Sequence, residues 1–217
     1  MFYKKNFRIP LDKFIENALY HPKNGYYMNS FPFGKQGDFI TSPHISKIFS
    51  EMITIWLISY WKKFYKNKKV NIIELGAGSG DMMNEIISSS VKFDDFYNNS
   101  QFIILEKSKK LIKLQKKKLK KKVKWISNLN QINKRPTIFL GNEFLDALPI
   151  KQIYKKKKLF FEKHVTLSND NKNLKFLDKK ANNNLIRRLQ KLNLISNSNI
   201  IEYPVTSMKF LETISKK

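Results

Sequence analysis

The residues of this chain most able to do chemistry lie in Glu74-Leu75-Gly76-Ala77-Gly78-Ser79-Gly80. An apolar run, Val70-Asn71-Ile72-Ile73, precedes them, and a helical-looking segment, Asp81 to Ser88, follows. Strand, glycine-rich turn and helix bring a backbone close to a nucleotide-like ligand. Glycines at the turn admit positive φ and close approach. A dinucleotide fingerprint requires G-x-G-x-x-G, and counting on from Gly76 puts Asp81 where the third glycine belongs. The pattern here is instead E-x-G-x-G-x-G, with a carboxylate two residues before the first glycine. A second carboxylate, Glu106, ends the apolar stretch Ile103-Ile104-Leu105, where a Rossmann-like fold uses an acid to bond ribose hydroxyls. A third group is Gly141-Asn142-Glu143-Phe144-Leu145-Asp146-Ala147-Leu148-Pro149. Glu143 and Asp146, three apart, share a face if the chain turns helically there, and such a pair can hold a guanidinium by bidentate charge-assisted hydrogen bonds. The alternative is that Asp146 caps a short helix while Glu143 binds cofactor or a backbone amide. In Gly37-Asp38-Phe39-Ile40-Thr41-Ser42-Pro43, the polar groups Asp38, Thr41 and Ser42 suit either a helix start or a loop folded over a ligand. His21, His44 and His164 have no ligand spacing, and no metal site is expected.

The elements that must position these groups are legible from periodicity. Residues 10–20 read as a short amphipathic helix, and 21–43 as a loop rich in aromatics (Tyr26, Tyr27, Phe31, Phe33, Phe39). Apolar residues from Ile45 to Trp61 recur at helical spacing and predict a long helix to about Lys66. A βα alternation follows: strand 70–75, helix from Asp81, strand 102–106, helix from Ser108, strands 123–126 and 137–140. This predicts an α/β fold with a parallel, doubly wound sheet. After Pro149 the pattern changes to a hairpin (150–154 and 159–164), a strand at 174–177, a helix at 185–194, a strand at 200–203 and a helix at 208–214. The expected organisation is an N-terminal helical extension and active-site loop (1–66), a Rossmann-like core (67–149), and a hairpin insertion with a helical segment (150–217).

With 217 residues, 41% of them hydrophobic, the chain can bury a substantial core. It has no cysteine, so disulfides and thiolate metal sites are excluded. The N-terminus has no signal-peptide h-region, no apolar run approaches the roughly 20 residues of a membrane span, and a cytoplasmic location is expected. The net charge of +25 invites a nucleic-acid reading. It is carried almost wholly by lysine, with arginine only at 8, 135, 187 and 188, whereas phosphate and base recognition recruits arginine. The run from Lys113 to Lys124 reads as the solvated face of a helix followed by a short strand.

The E-x-G-x-G-x-G segment is similar to the first motif of class I S-adenosyl-L-methionine (SAM) methyltransferases. Four stretches together resemble the MidA family of such enzymes: HPKNGYY (21–27), FGKQGDFITSPHISKIFSE (33–51), IIELGAGSGDMM (72–83) and GNEFLDALPIKQ (141–152). The resemblance implies a class I fold, methyl transfer from SAM to a protein arginine, and a protein substrate that is a respiratory complex I subunit. It implies cofactor binding by Glu74, Gly76, Gly78, Gly80, Glu106, Asn142, Asp38, Thr41 and Ser42. Glu143 and Asp146 become the candidate catalytic residues, clamping the arginine with its nitrogen toward the methyl. His44 departs from the family's glutamate at that position. A class I sheet has seven strands and about four can be counted before the hairpin. Family members run well beyond 217 residues, so the chain reads as C-terminally truncated. Two alternatives stay open at this point: an RNA methyltransferase, and a non-catalytic SAM-binding assembly chaperone or relic.

Overall fold

A computed structural model describes residues 7–30, 32, 37–119, 122–168, 173–195 and 199–216; Phe31 and Phe33 of the aromatic loop lie outside these, as does the side chain of His44. From the N-terminus the elements are β1 (Arg8–Pro10), α1 (Leu11–Tyr20), α2 (Tyr26–Asn29), α3 (Ser42–Ile45), α4 (Lys47–Phe64), β2 (Val70–Leu75), α5 (Asp81–Ser90), α6 (Asp94–Asn99), β3 (Ser100–Leu105), α7 (Lys109–Leu119), β4 (Val123–Ile126) and β5 (Thr137–Leu140). The antiparallel part follows: β6 (Lys151–Lys156), β7 (Leu159–Leu167), β8 (Leu174–Lys180), α8 (Asn183–Lys191), β9 (Ile200–Tyr203) and α9 (Val205–Ile214). Two compact units result. One comprises Tyr20–Leu145 with the C-terminal residues from Thr213; the other comprises the N-terminal residues to Leu19 and Asp146–Glu212.

The first unit is a four-stranded parallel sheet in the order β4-β3-β2-β5. β2 lies in its middle, and all six of its residues are buried, as strands covered on both faces must be. The in-register pairs Leu75↔Leu105, Leu105↔Ile126 and Glu74↔Leu140 align the carboxyl ends of the four strands on one edge of the sheet. The chain runs outward from β2 through β3 to β4, then returns to β5 on the other side of β2. That reversal is a topological switch point, and in open α/β sheets the ligand crevice lies at the strand carboxyl ends there. The core joins Leu57, Ile58 and Trp61 of α4 to Val70 and Ile72 of β2, Met83 and Ile86 of α5, Phe96 and Phe102. Ser46 starts α4 by accepting from the Ile48 amide at 3.2 Å.

The second unit is antiparallel. β7 pairs with β8 along one edge over Phe161–Leu167. Along its other edge it pairs first with β6 (Leu159–Glu162) and then with β1 (His164–Thr166). β1 and β6 therefore lie end to end against one long strand, and β9 completes the sheet beside β6. Where β1 gives way to β6, Lys151 Nζ donates to Asp12 Oδ1 at 3.0 Å and to Glu162 Oε1 at 2.5 Å. Ile153, Ile201 and Tyr203 of the sheet pack against Leu189 of α8. No described helix is long and apolar enough to cross a membrane.

Candidate cofactor site at the carboxyl edge of the parallel sheet

Glu74 is the penultimate residue of β2 and is only 4% exposed. Its carboxylate accepts from the Met83 amide in the first turn of α5, while Oε2 has no hydrogen-bond partner among the described residues. Burial drives its pKa up to about 8, with the charges of Asp81 and Glu106 adding to the rise and the Met83 amide opposing it. A buried carboxyl with an unmet oxygen suits a cationic partner.

Directly after it, Gly76, Gly78 and Gly80 all have positive φ (64°, 54° and 83°). At Gly76 a side chain would meet a second obstacle, since a Cβ would stand 2.9 Å from Phe144 Cδ2. Phe144 thus folds the loop after β5 onto the turn after β2. At Gly80, which precedes α5, a Cβ would press on Gln115 Cγ at 3.3 Å and Leu119 Cδ1 at 3.2 Å, so the glycine lets α7 approach the turn. Asp81 opens α5, accepts from the Ser79 hydroxyl and pairs with Lys118 Nζ at 2.7 Å. An acid in a helix's first turn is favoured by the helix dipole.

Glu106 follows β3 directly. Its Oε1 accepts from the amides of Lys107 (2.8 Å) and Ser108 (2.9 Å) at the start of α7, and Oε2 from Gln115 Nε2 (3.3 Å). Burial raises its pKa, and these three donors oppose that rise. The donors hold the carboxylate oriented while leaving lone pairs for further hydroxyl donors.

Asn142 and Glu143 follow β5 on the other side of β2. Glu143 is exposed and has φ 52°. Residues 142–148 form bends and a turn and not the helical turn that a shared face would need; the positive φ at Glu143 breaks helical geometry and Pro149 ends the segment. Glu143 and Asp146 therefore do not share a helix face. Asp146, also exposed, begins the long segment of the antiparallel unit.

The segment carrying Asp38, Thr41 and Ser42 belongs to the parallel-sheet unit. Asp38 accepts from the Tyr26 hydroxyl, and this bond, with burial and the Asp38 charge, pushes the Tyr26 pKa up to about 12. Thr41 precedes α3 and Ser42 is its first residue. α2 packs on α7 and α3 on α5; Lys110 Nζ donates to the Asn29 carbonyl at 2.5 Å. α2 thus lies against α7, which starts just after Glu106, and α3 against α5, which starts at the glycine turn.

Two residues of this site were not anticipated from the sequence, Phe144 and Gln115. Gln115 sits between Leu111 and Leu119 at a spacing of four, so a polar residue inside the apolar stripe of α7 was the available signal. No cluster of metal-ligating side chains occurs among the described residues.

The chain is similar to known proteins. "Protein arginine methyltransferase NDUFAF7 homolog, mitochondrial" of Drosophila melanogaster is 31% identical over 168 residues, covering 67% of this chain and 38% of that protein. "Protein arginine methyltransferase NDUFAF7, mitochondrial" of Bos taurus is 30% identical over 172 residues, covering 68% and 39%. The chain thus spans less than half the length of these curated relatives. A protein from Burkholderia thailandensis, solved bound to S-adenosyl-homocysteine, superposes with a TM-score of 0.77 at 20% identity, over 95% of this chain and 55% of that one. It shares the fold. A buried carboxyl with an orphan oxygen, a turn of three left-handed glycines and an oriented acid at the next strand end suit a cofactor with a cationic end and a ribose. The family described as "Putative S-adenosyl-L-methionine-dependent methyltransferase" matches residues 52–217, most of the sequence, and the chain belongs to it.

Proposed function

We propose that the chain supplies the cofactor half, and part of the substrate half, of a methyltransferase acting on a protein arginine. The observation that carries this is the unpartnered Oε2 of Glu74, buried beside the glycine turn. When bound, SAM supplies an electrophilic methyl on a sulfonium, and the protein's task is positioning. Glu74 gives up its proton and meets the cationic methionyl end. Glu106, held by the Lys107 and Ser108 amides, accepts from the ribose hydroxyls. Gly76, Gly78 and Gly80 let the backbone approach, and Asn142, with Asp38, Thr41 and Ser42, completes the cradle. Glu143, just past the carboxyl end of β5, receives the guanidinium and orients its nitrogen for in-line attack. The names of the relatives support arginine as acceptor. The family resemblance extends this to a subunit of respiratory complex I.

The test is calorimetric titration of SAM in two buffers of different ionisation enthalpy at pH 7. Because Glu74 is protonated below about 8, binding should release close to one proton, and Glu74→Gln should lose both the affinity and the release. Saturable binding by the wild type with no proton release would remove Glu74 from the cation's partner role. A folded wild type with no binding would defeat the reading. Tritiated-methyl transfer into arginine-containing proteins then tests the acceptor.

A further inference from the structure

We propose that Gln115 is a positioning residue for the cofactor, its amide tying the glycine turn to the ribose-side carboxylate and fixing the distance between the two halves of the cradle; this rests on the cofactor reading above. Gln115 is wholly buried, in the middle of α7. Its Nε2 donates to the Gly78 carbonyl at 2.8 Å and to Glu106 Oε2 at 3.3 Å. Its Oε1 accepts from Trp125 Nε1 of β4 at 2.9 Å. The network fixes the amide's orientation: two oxygens demand the NH2 side and the indole N–H demands the oxygen. Three successive strand ends, those of β2, β3 and β4, are thereby joined through one side chain.

Two further observations distinguish this from incidental core polarity. Gly80 is left without a side chain opposite α7, where a Cβ would meet Leu119 Cδ1 at 3.2 Å and Gln115 Cγ and Cβ at 3.3 and 3.7 Å. Glu106 also has only amide donors on it, two from the start of α7 and one from Gln115. Without Gln115 its Oε2 loses its orientation, and the Gly78 carbonyl and Trp125 indole are left without this partner. In a buried, low-dielectric setting such groups rearrange rather than stay unmet.

The experiment compares S-adenosylhomocysteine with its 2′-deoxyribose analogue on the wild type and on Gln115→Met, which keeps most of the volume and removes the amide. Folding is checked by circular dichroism at the assay temperature, and the Trp125 share of the tryptophan emission, which also comes from Trp56 and Trp61, is obtained by difference from Trp125→Phe and followed during titration. The wild type should favour the ribose ligand and shift its emission on binding. In the variant, affinity should fall about tenfold or more, of the order expected for losing a buried polar partner. The preference for the ribose ligand should shrink and the emission change should be lost. A folded variant with unchanged affinity and preference overturns the proposal; so does an equal loss for both ligands with the preference intact, the signature of a purely structural role. If Gln115→Met does not fold, Trp125→Phe, which retains an aromatic ring and releases only Oε1, should show the same weakened preference, and an undiminished preference there overturns the proposal. A folded wild type that binds neither ligand overturns the cofactor reading, and this inference with it.

Discussion

Glu74 is a residue whose burial works against the stability of its own fold. Its carboxyl carries a proton up to about pH 8 in the folded chain, against an ordinary value of 4.5. Between those two values the folded state holds a proton that the unfolded state has released. Stability should therefore fall as pH rises from 4.5 to 8 and level off above that. The single-site contribution is on the order of 3–5 kcal/mol. Denaturant unfolding of wild type and Glu74→Gln across this range isolates it, because the variant should lose that share of the slope and become the more stable protein at pH 8. Equal slopes would show that Glu74 is ionised in the folded chain. Gly76 gives a second test at this scale. With φ 64° and Phe144 2.9 Å from any added Cβ, Gly76→Ala should destabilise by roughly 1–3 kcal/mol. Phe144→Ala in the same chain should recover the steric part and leave the conformational part. The strand ends that carry Glu74 and Glu106, and the glycine turn between β2 and α5, were legible in the sequence because strand, glycine turn and helix leave a fixed local spacing. Gln115 and Phe144 were not, since their roles arise from contacts 37 and 68 residues away (Gly78 and Gly76).

At the scale of elements, periodicity located the parallel strands. β2, β4, β5 and β9 have the bounds the apolar runs suggested: β2 is a continuous buried run, and β9 alternates exposed and buried residues. α6 and β1 escaped. α6 is a six-residue helix, too short for a period to show, and β1 is three residues whose strand character comes from pairing with β7. A shared face for Glu143 and Asp146 required a helical turn after β5, and positive φ at Glu143 breaks that geometry. The seam between β1 and β6 depends on Lys151, which burial would discharge but the Glu162 and Asp12 carboxylates more than compensate, so its pKa ends raised. Lys151→Met leaves two carboxylates facing each other and should destabilise the antiparallel unit by about 2–4 kcal/mol, a little less than for a fully buried pair because the site is partly open. Asp12→Asn together with Lys151→Met should be less harmful than the sum of the two. Thermal unfolding of the double-mutant cycle measures this.

For the whole molecule, a formal charge of +25 is a repulsive field that folding concentrates. The melting temperature should rise as salt goes from 10 to 150 mM, over which the screening length shrinks from about 30 to about 8 Å; a melting temperature flat or falling with salt would mean that local pairs such as Lys118–Asp81 outweigh the general repulsion. The parallel sheet presents β4 and β5 as its outer strands, each with one described partner. Such edges favour pairing with other chains, and light scattering at raised concentration should reveal self-association that added charge at Phe139 reduces.

The end-to-end placement of β1 and β6 along β7 has a consequence for synthesis on the ribosome. Arg8 pairs with Thr166, and the Thr166 hydroxyl bonds the Phe7 carbonyl at 2.6 Å. The first strand made thus waits for more than 150 further residues before its partner exists. Every strand of the parallel sheet emerges in the interval, and its helices lie beside it in sequence. Translation should therefore deliver the parallel-sheet unit first, with an unpaired N-terminal segment trailing from it, and close the antiparallel unit late. Nascent chains stalled near residue 145 plus the length of the exit tunnel should resist proteolysis from residue 20 onward while the first residues remain cleavable. Protection of those residues should appear only once β7 has emerged.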